Sequence, residues 1–348
     1  MIHPLIHIAL IISKSNSVKY MRNYRTIPEK DMKADLTVTS EYDGSTIRAF
    51  LAGKLFMSST MIKKAKLYGT VEVNGEHQII KYILHTGDQV HIEYNDDALV
   101  SPDPDIDIIY NCPDYLVVNK PSRMVTHPTH GHLEDSLITR LHADMPLHPV
   151  MRLDRETSGL IVIATNGYAH NTLAKYASIE KRYLAAVYGV MTPSSGRIDL
   201  PIARRPGSVM IRQPDPDGRE CITDYKTIVT DDINNISLVE FSLLTGRCHQ
   251  IRVHSLANGH PLVGDGLYGP NSIDNPADDS LKDLWGDTTA LDQKAGRVAL
   301  HAYYLKFTDK LSDPAEERIF VSPLPEDIRS LFSPASLVGI DEFFGKLD

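Results

Sequence analysis

Apolar positions in the first third of the chain recur at two different periods. Ile47, Phe50, Leu51 and Leu55 fall on one face of a helix, and Ser59 offers an N-cap for a second helix reaching Leu67 before Gly69. Val71 and Val73 then alternate with polar residues and run into Asn74-Gly75, a strong short hairpin signal. Gly87-Asp88 marks a second turn ahead of Val90 and Ile92. The stretch from about Thr37 to Tyr94 therefore predicts a compact α+β module.

The segment from Ser101, SPDPDIDI, is rich in proline and aspartate and reads as a linker. Beyond it, strand patterns at Tyr115 to Val118, Gly159 to Ala164, Tyr183 to Val187 and Ile236 to Leu243 alternate with a few helical ones. No regular βαβ repetition is present. The pattern predicts an α+β catalytic-size domain with a mixed, mainly antiparallel sheet. With 348 residues, two domains are the expectation, and the punctuation places a basic arm at 1–35, a small domain at 36–98 and a larger domain at 99–348.

Composition narrows the class. A hydrophobic fraction of 42% with 23% charged residues allows a real core and argues against wholesale disorder. Cys112, Cys221 and Cys248 are far apart and form no CxxC, which suggests neither a disulfide framework nor structural zinc and fits a reducing cytoplasm. The apolar run Leu5 to Ile12 falls well short of the ~20 residues that span a bilayer and lacks a basic segment before it, so no membrane or signal role is expected. The net charge of −9 opposes a nucleic-acid partner, but the charges are segregated. Ser45 to Val71 carries Arg48, Lys54, Lys63, Lys64 and Lys66 with no acid, whereas Asp274 to Asp292 carries six aspartates and one lysine. The acidic stretch reads as an inert surface loop.

Two clusters carry candidate chemistry. Arg152-Leu153-Asp154-Arg155-Glu156-Thr157-Ser158-Gly159 precedes an apolar strand, and a carboxylate between two arginines stays ionised, which suits a nucleophile or base. A surface ion pair at a turn fits those residues equally well. Thr245-Gly246-Arg247-Cys248-His249-Gln250-Ile251-Arg252-Val253-His254 follows an alternating strand and predicts a strand, a tight glycine turn and a helix start suited to anions, or simply a basic turn. His127, His130 and His132 in HPTHGH lack ligand spacing, and no metal site is expected there. No GxGxxG or GxxxxGK is present, so no nucleotide cofactor is expected.

In combination these segments are specific. DYLVVNKPSRMVTHP, RLDRETSGL, KRYLAAVYG, TGRCHQIRVH, GHPLVGDGLYG and ALHAYYLKF, in this order, resemble the RluA-like family of pseudouridine synthases over roughly residues 105 to 330. SSTMIKKAKLYGTVEVNGE with HTGDQVHIEY resembles the small alpha-L RNA-binding motif of a ribosomal small-subunit protein and many RNA-modifying enzymes, although GSTIRAFLA stands where that motif usually has an Arg-Leu-Asp triplet.

The first resemblance implies a cofactor-free isomerisation of uridine to pseudouridine in structured RNA, ribosomal rather than transfer RNA, by a cytoplasmic monomer that binds neither DNA nor membrane. It implies that Asp154 is the attacking aspartate, that Tyr183 stacks on the flipped base, and that Arg247 pairs with Asp154. It also implies that Arg152 helps extrude the target, since a stacked base hides its glycosidic bond, with Arg155 and Arg252 as weaker phosphate contacts. The second resemblance implies phosphate contacts for Lys63, Lys64 and Lys66. Met151 stands where the family usually has histidine, which removes a hydrogen-bonding group beside Arg152. Two other readings compete. One is an RNA-binding or ribosome-assembly factor with weakened catalysis. The other is a two-carboxylate glycoside or nucleoside hydrolase, for which Glu156 is the only neighbouring acid and points the wrong way along an extended turn.

Overall fold

The computed structural model describes residues 10–11, 31–55, 57, 62, 65, 70–95, 103–129, 132, 135–141, 143, 146–272, 285 and 288–347. A four-stranded antiparallel sheet is built from β1 (Asp31–Thr37), β2 (Thr70–Val73), β3 (Glu76–His77) and β4 (Gln89–Asn95), in the order β1-β4-β2-β3. The predicted first helix is α1 (Ile47–Lys54), started by Thr46, whose hydroxyl accepts from the Ala49 N–H at 3.2 Å. It buries Ile47, Phe50 and Leu51 against Val71, Val73, Val90 and Ile92. Of the predicted second helix, Ile62 and Ala65 are helical and buried, whereas Lys63, Lys64 and Lys66 lie outside the described residues. The Asn74-Gly75 hairpin forms with φ of 51° and 80°, the two left-handed conformations that a tight two-residue turn demands. One boundary differs from expectation, because β1 begins at Asp31, inside the stretch read as an arm. Its pairing with β4 draws those residues into the sheet.

The second sheet has eleven strands. Eight form a continuous path: β5 (Asp107–Asn111), β6 (Tyr115–Lys120), β7 (Ser158–Ala164), β8 (Glu180–Tyr188), β9 (Ser195–Asp199), β10 (Ile222–Asp231), β11 (Ile236–Leu243) and β12 (Leu300–Asp309). Their order is β9-β10-β11-β8-β12-β7-β6-β5, with β13 (Glu316–Val321) also paired to β12. Pairing is antiparallel except between β7 and β12, which run parallel at Ser158–His301 and Gly159–Ala302. The fold is thus α+β with a mixed, mainly antiparallel sheet, as the strand patterns predict.

Every residue of β7 is buried, which explains its unbroken apolar run. Ile161 and Ile163 face one core with Leu116, Val118 and Phe241, while Leu160 and Val162 face a second with Tyr115, Val117 and Phe307. Each such side chain contributes about 1.5–3 kcal/mol by leaving water, so β7 is a rigid base for the loop before it. Gly159 has φ of 115°, and a Cβ there would sit 2.3 Å from the Ala302 carbonyl oxygen, so only glycine allows the parallel contact.

The acidic stretch is less free than a plain loop. Residues 273–284 and 286–287 lie outside the described residues, but Trp285 is buried beside Tyr188, with ring centres 6.2 Å apart. Asp292 accepts hydrogen bonds from the Tyr188 hydroxyl and the Gly264 N–H, both at 2.6 Å. No described helix is long and apolar enough to cross a membrane.

Candidate active site

The loop that carries Asp154 enters β7 under four restraints. Thr126 Oγ1 donates to the Leu153 carbonyl at 3.1 Å and accepts from the Leu153 N–H at 3.3 Å. The Thr157 N–H donates to the Asp154 carbonyl at 3.1 Å and closes the turn. Lys120, fully buried at the end of β6, donates from Nζ to the carbonyls of Pro121 and Met124 at 2.8 Å and of Arg155 at 3.4 Å. Burial, with the Arg297 charge adding to it, pushes the Lys120 ammonium down to about 7. Arg297 donates from Nη1 to the Glu156 carbonyl at 3.4 Å and to the Val298 and Leu300 carbonyls at 3.0 and 3.1 Å. Neither Lys120 nor Arg297 stood out in the sequence, although Asn-Lys-Pro was part of the opening motif.

A second loop faces the first across a cavity of about 670 Å³. The Thr245 to His249 turn is held by Gln250, whose Oε1 accepts from the Arg247 N–H at 2.9 Å and the Thr245 hydroxyl at 3.0 Å. Gln250 Nε2 donates to the Ile222 carbonyl and Thr223 hydroxyl, both at 2.9 Å, which ties the turn to β10. Helix α2 (Gln250–Ala257) then starts behind His249, whose φ of 58° turns the chain sharply.

Asp154, Tyr183, Arg247, Arg152 and Arg252 all line this cavity. Tyr183 is only 6% exposed. On its β12 side the register slips, so that Ala302 and Tyr303 together stand opposite Tyr183, a bulge of the kind that re-aims a side chain. Burial, then the Asp154 charge, pushes the phenol well above its usual range and keeps it protonated.

Two expectations, those for Arg247 and Arg252, are corrected by the geometry. Arg247 makes no ion pair with Asp154; it is exposed, and its Nε donates to the Glu220 carbonyl at 3.1 Å. The turn that holds its backbone sends its side chain along the surface toward the entry of β10. Arg252 is no phosphate contact, because it is buried and its fork is filled by Asp265, with Nε at 2.7 Å and Nη2 at 2.6 Å from the two carboxylate oxygens. Burial opposes its charge, but Asp265 and, more weakly, Asp154 hold the guanidinium protonated. Arg252 is therefore a buried cation that senses Asp154. Arg155 is not in the cavity wall; it is exposed and pairs with Glu156 at 3.3 Å, which also leaves Glu156 unsuited to act with Asp154. Arg152 is exposed at the rim, as extrusion of a base requires.

The histidines of HPTHGH form no ligand group among the described residues: His132 Nδ1 lies 2.8 Å from Asp135 Oδ2, and His130 lies outside them. Donor atoms of Asp154, Cys248 and His249 do lie within 4.8 Å of one another. That donor set suits a thiophilic divalent ion, although burial and the Asp154 charge hold the Cys248 thiol up against the weaker pull of Arg212, Arg152 and Arg252, which keeps it from being a thiolate ligand.

The RNA pseudouridylate synthase family model matches residues 114–257, the span that supplies both loops. An uncharacterized RNA pseudouridine synthase of Bacillus subtilis (YjbO) is 34% identical over 297 residues, covering 80% of this chain and 96% of the relative. The chain belongs to the RNA pseudouridine synthases. A ribosomal large subunit pseudouridine synthase D of Neisseria meningitidis serogroup A is 32% identical over 337 residues, covering 92% of this synthase and 86% of the relative. The solved structure of human RNA pseudouridylate synthase domain containing 1 overlays with a TM-score of 0.50 at 25% identity, over 68% of this synthase and 96% of the human chain.

Proposed function

We propose that this synthase isomerises uridine to pseudouridine in structured RNA, with Asp154 as the nucleophile and no cofactor. The observation that carries the reading is the convergence of Asp154 and a buried, protonated Tyr183 in one cavity rimmed by Arg152 and Arg247. Asp154 attacks C1′ of the target ribose as its bond to N1 breaks, and C5 of the turned uracil then joins C1′ and displaces the Asp154 carboxylate, which restores the enzyme. The C5 proton leaves and N1 gains one, so the reaction is balanced without oxidant or reductant. Arg152 at the rim offsets the few kcal/mol that unstacking costs. Tyr183 offers a flat apolar wall for the extruded base.

The RNA is ribosomal, a reading supported by likeness to the Neisseria large-subunit enzyme. Residues 31–98 form an alpha-L-type RNA-binding domain whose Lys63, Lys64 and Lys66 contact phosphate, ahead of a catalytic domain at 99–348. The protein acts in the cytoplasm as a monomer. The test is to map pseudouridines in total RNA from cells with and without the gene, and to restore the missing sites with purified protein. Loss of one or a few ribosomal pseudouridines, recovered with release of tritium from carbon-five-labelled RNA, is the expected result. An unchanged map, with no tritium released from any RNA of the deletion strain, refutes the reading.

A further inference from the structure

His249 lines the cavity, and the proposed reaction leaves it without a task. Its Nδ1 lies 2.8 Å from the Tyr268 hydroxyl, and the two rings meet edge to face at 5.5 Å. The Tyr268 oxygen already accepts the Arg212 backbone N–H at 2.8 Å. Tyr268 is 1% exposed, so its own proton has to go to a protein acceptor, and His249 Nδ1 is the acceptor at hand. Burial pushes the Tyr268 phenol up to about 12, which keeps it a donor, and burial lowers the His249 imidazole against the opposing pull of Asp154.

A neutral imidazole whose Nδ1 accepts must carry its proton on Nε2. Nε2 has no hydrogen-bond partner among the described residues and is not among their buried, unpaired side-chain atoms, which are Ser45 Oγ, Thr227 Oγ1 and Ser255 Oγ. It is therefore not sealed in the protein, and His249 lines the cavity, where one of its nitrogens lies within 4.8 Å of an Asp154 carboxylate oxygen. The support behind it is rigid. Arg252 lies 5.0 Å from the centre of the Tyr268 ring, and Asp265 Oδ1 accepts the Leu267 and Tyr268 N–H groups, both at 3.0 Å. The left-handed backbone of His249, uncommon outside glycine, is held in place by the same frame.

From this arrangement we infer that His249 is a further catalytic residue: a neutral Nε2–H donor, fixed in that tautomer by Tyr268, that binds a carbonyl oxygen of the departing pyrimidine. When the bond between ribose and N1 breaks, the electron pair stays on the uracil and spreads to its carbonyl oxygens. A fixed donor stabilises that charge without itself giving up a proton. The inference rests on the proposed isomerisation and adds to it a group that stabilises the leaving base.

The test joins 15N NMR of the histidine tautomers in the full chain with single-turnover tritium release from wild type, His249→Ala and Tyr268→Phe. The expected spectrum shows His249 neutral and protonated on Nε2 at neutral pH, with Tyr268→Phe mixing the tautomers. His249→Ala is expected to slow the single-turnover step by about 100-fold, the usual cost of losing one such donor, with RNA affinity kept within about threefold. Tyr268→Phe, which keeps the imidazole in the cavity, loses about tenfold. A proton on Nδ1, an imidazolium, an unchanged rate in His249→Ala, or a loss confined to RNA affinity overturns the inference while leaving the isomerisation standing. A wild-type protein that releases no tritium from any RNA overturns both.

Discussion

Two ion pairs, one on the small sheet and one behind the cavity wall, show how differently the two halves of this chain use charge. In the small sheet, Lys33 on β1 meets Glu93 on β4 at 2.9 Å, with both side chains more than half exposed. Behind the cavity, Arg252 on the Gln250–Ala257 helix meets Asp265 at 2.6 Å with side chains 5% and 0% exposed. Water already solvates the first pair, so closing it gains little. The second pair has been stripped of water, and the Asp265 carboxylate holds Arg252 charged against its burial. The difference teaches where a substitution will be felt: the small module tolerates changes on its polar face, while the cavity wall depends on a few buried groups that satisfy one another.

The comparison can be broken most forcefully at Arg252. Arg252→Met leaves Asp265 buried without its cation and is expected to cost about 3–5 kcal/mol, read as a lower denaturation midpoint at unchanged slope. Gly159→Ala comes next. A Cβ at positive φ pressed against the Ala302 carbonyl is expected to cost about 3 kcal/mol and to part β7 from β12 under the Asp154 loop.

His301 sharpens the same contrast through pH. It is buried between the Ser158 and Ser322 hydroxyls at 2.9 and 3.2 Å, and burial, with Arg297 adding, holds its imidazole down at about 3. The unfolded chain takes up that proton near its ordinary value of 6.5, well above the point at which the folded chain does. Stability from this group is therefore complete above about pH 6.5 and is lost as the pH falls toward 3, at about 1.4 kcal/mol per unit. Denaturation of wild type and His301→Gln at pH 6.5 and pH 5 should show wild type losing about 2 kcal/mol more than the variant. At the bottom of the scale, Lys33→Ala should leave the unfolding midpoint unchanged, and a large loss there would erase the contrast.

Much of this was legible in the residues. Alternation at Val71 and Val73 with Asn-Gly behind it could form little but a hairpin, and the unbroken apolar run of β7 announced a strand covered on both faces. The ordered motifs foretold that Asp154, Tyr183 and the 245–252 turn would meet. The assignment of the arginines was not legible. Six of the eight residues of α2 are buried, so no polar face marks which way Arg252 points. That direction is set by the left-handed turn at His249 and by the four hydrogen bonds of Gln250, neither of which leaves a periodic signal. For the same reason Lys120, a lysine in a strand, gave no hint that it would be sealed under the catalytic loop.

The central claim is that the Asp154 carboxylate, facing Tyr183 across one cavity, attacks the target nucleoside. Single-turnover tritium release from carbon-five-labelled ribosomal RNA by Asp154→Asn, with RNA binding measured alongside, tests it directly. The account predicts a loss of at least about 10⁴-fold in rate with RNA affinity retained. A variant that releases tritium at the wild-type rate contradicts it.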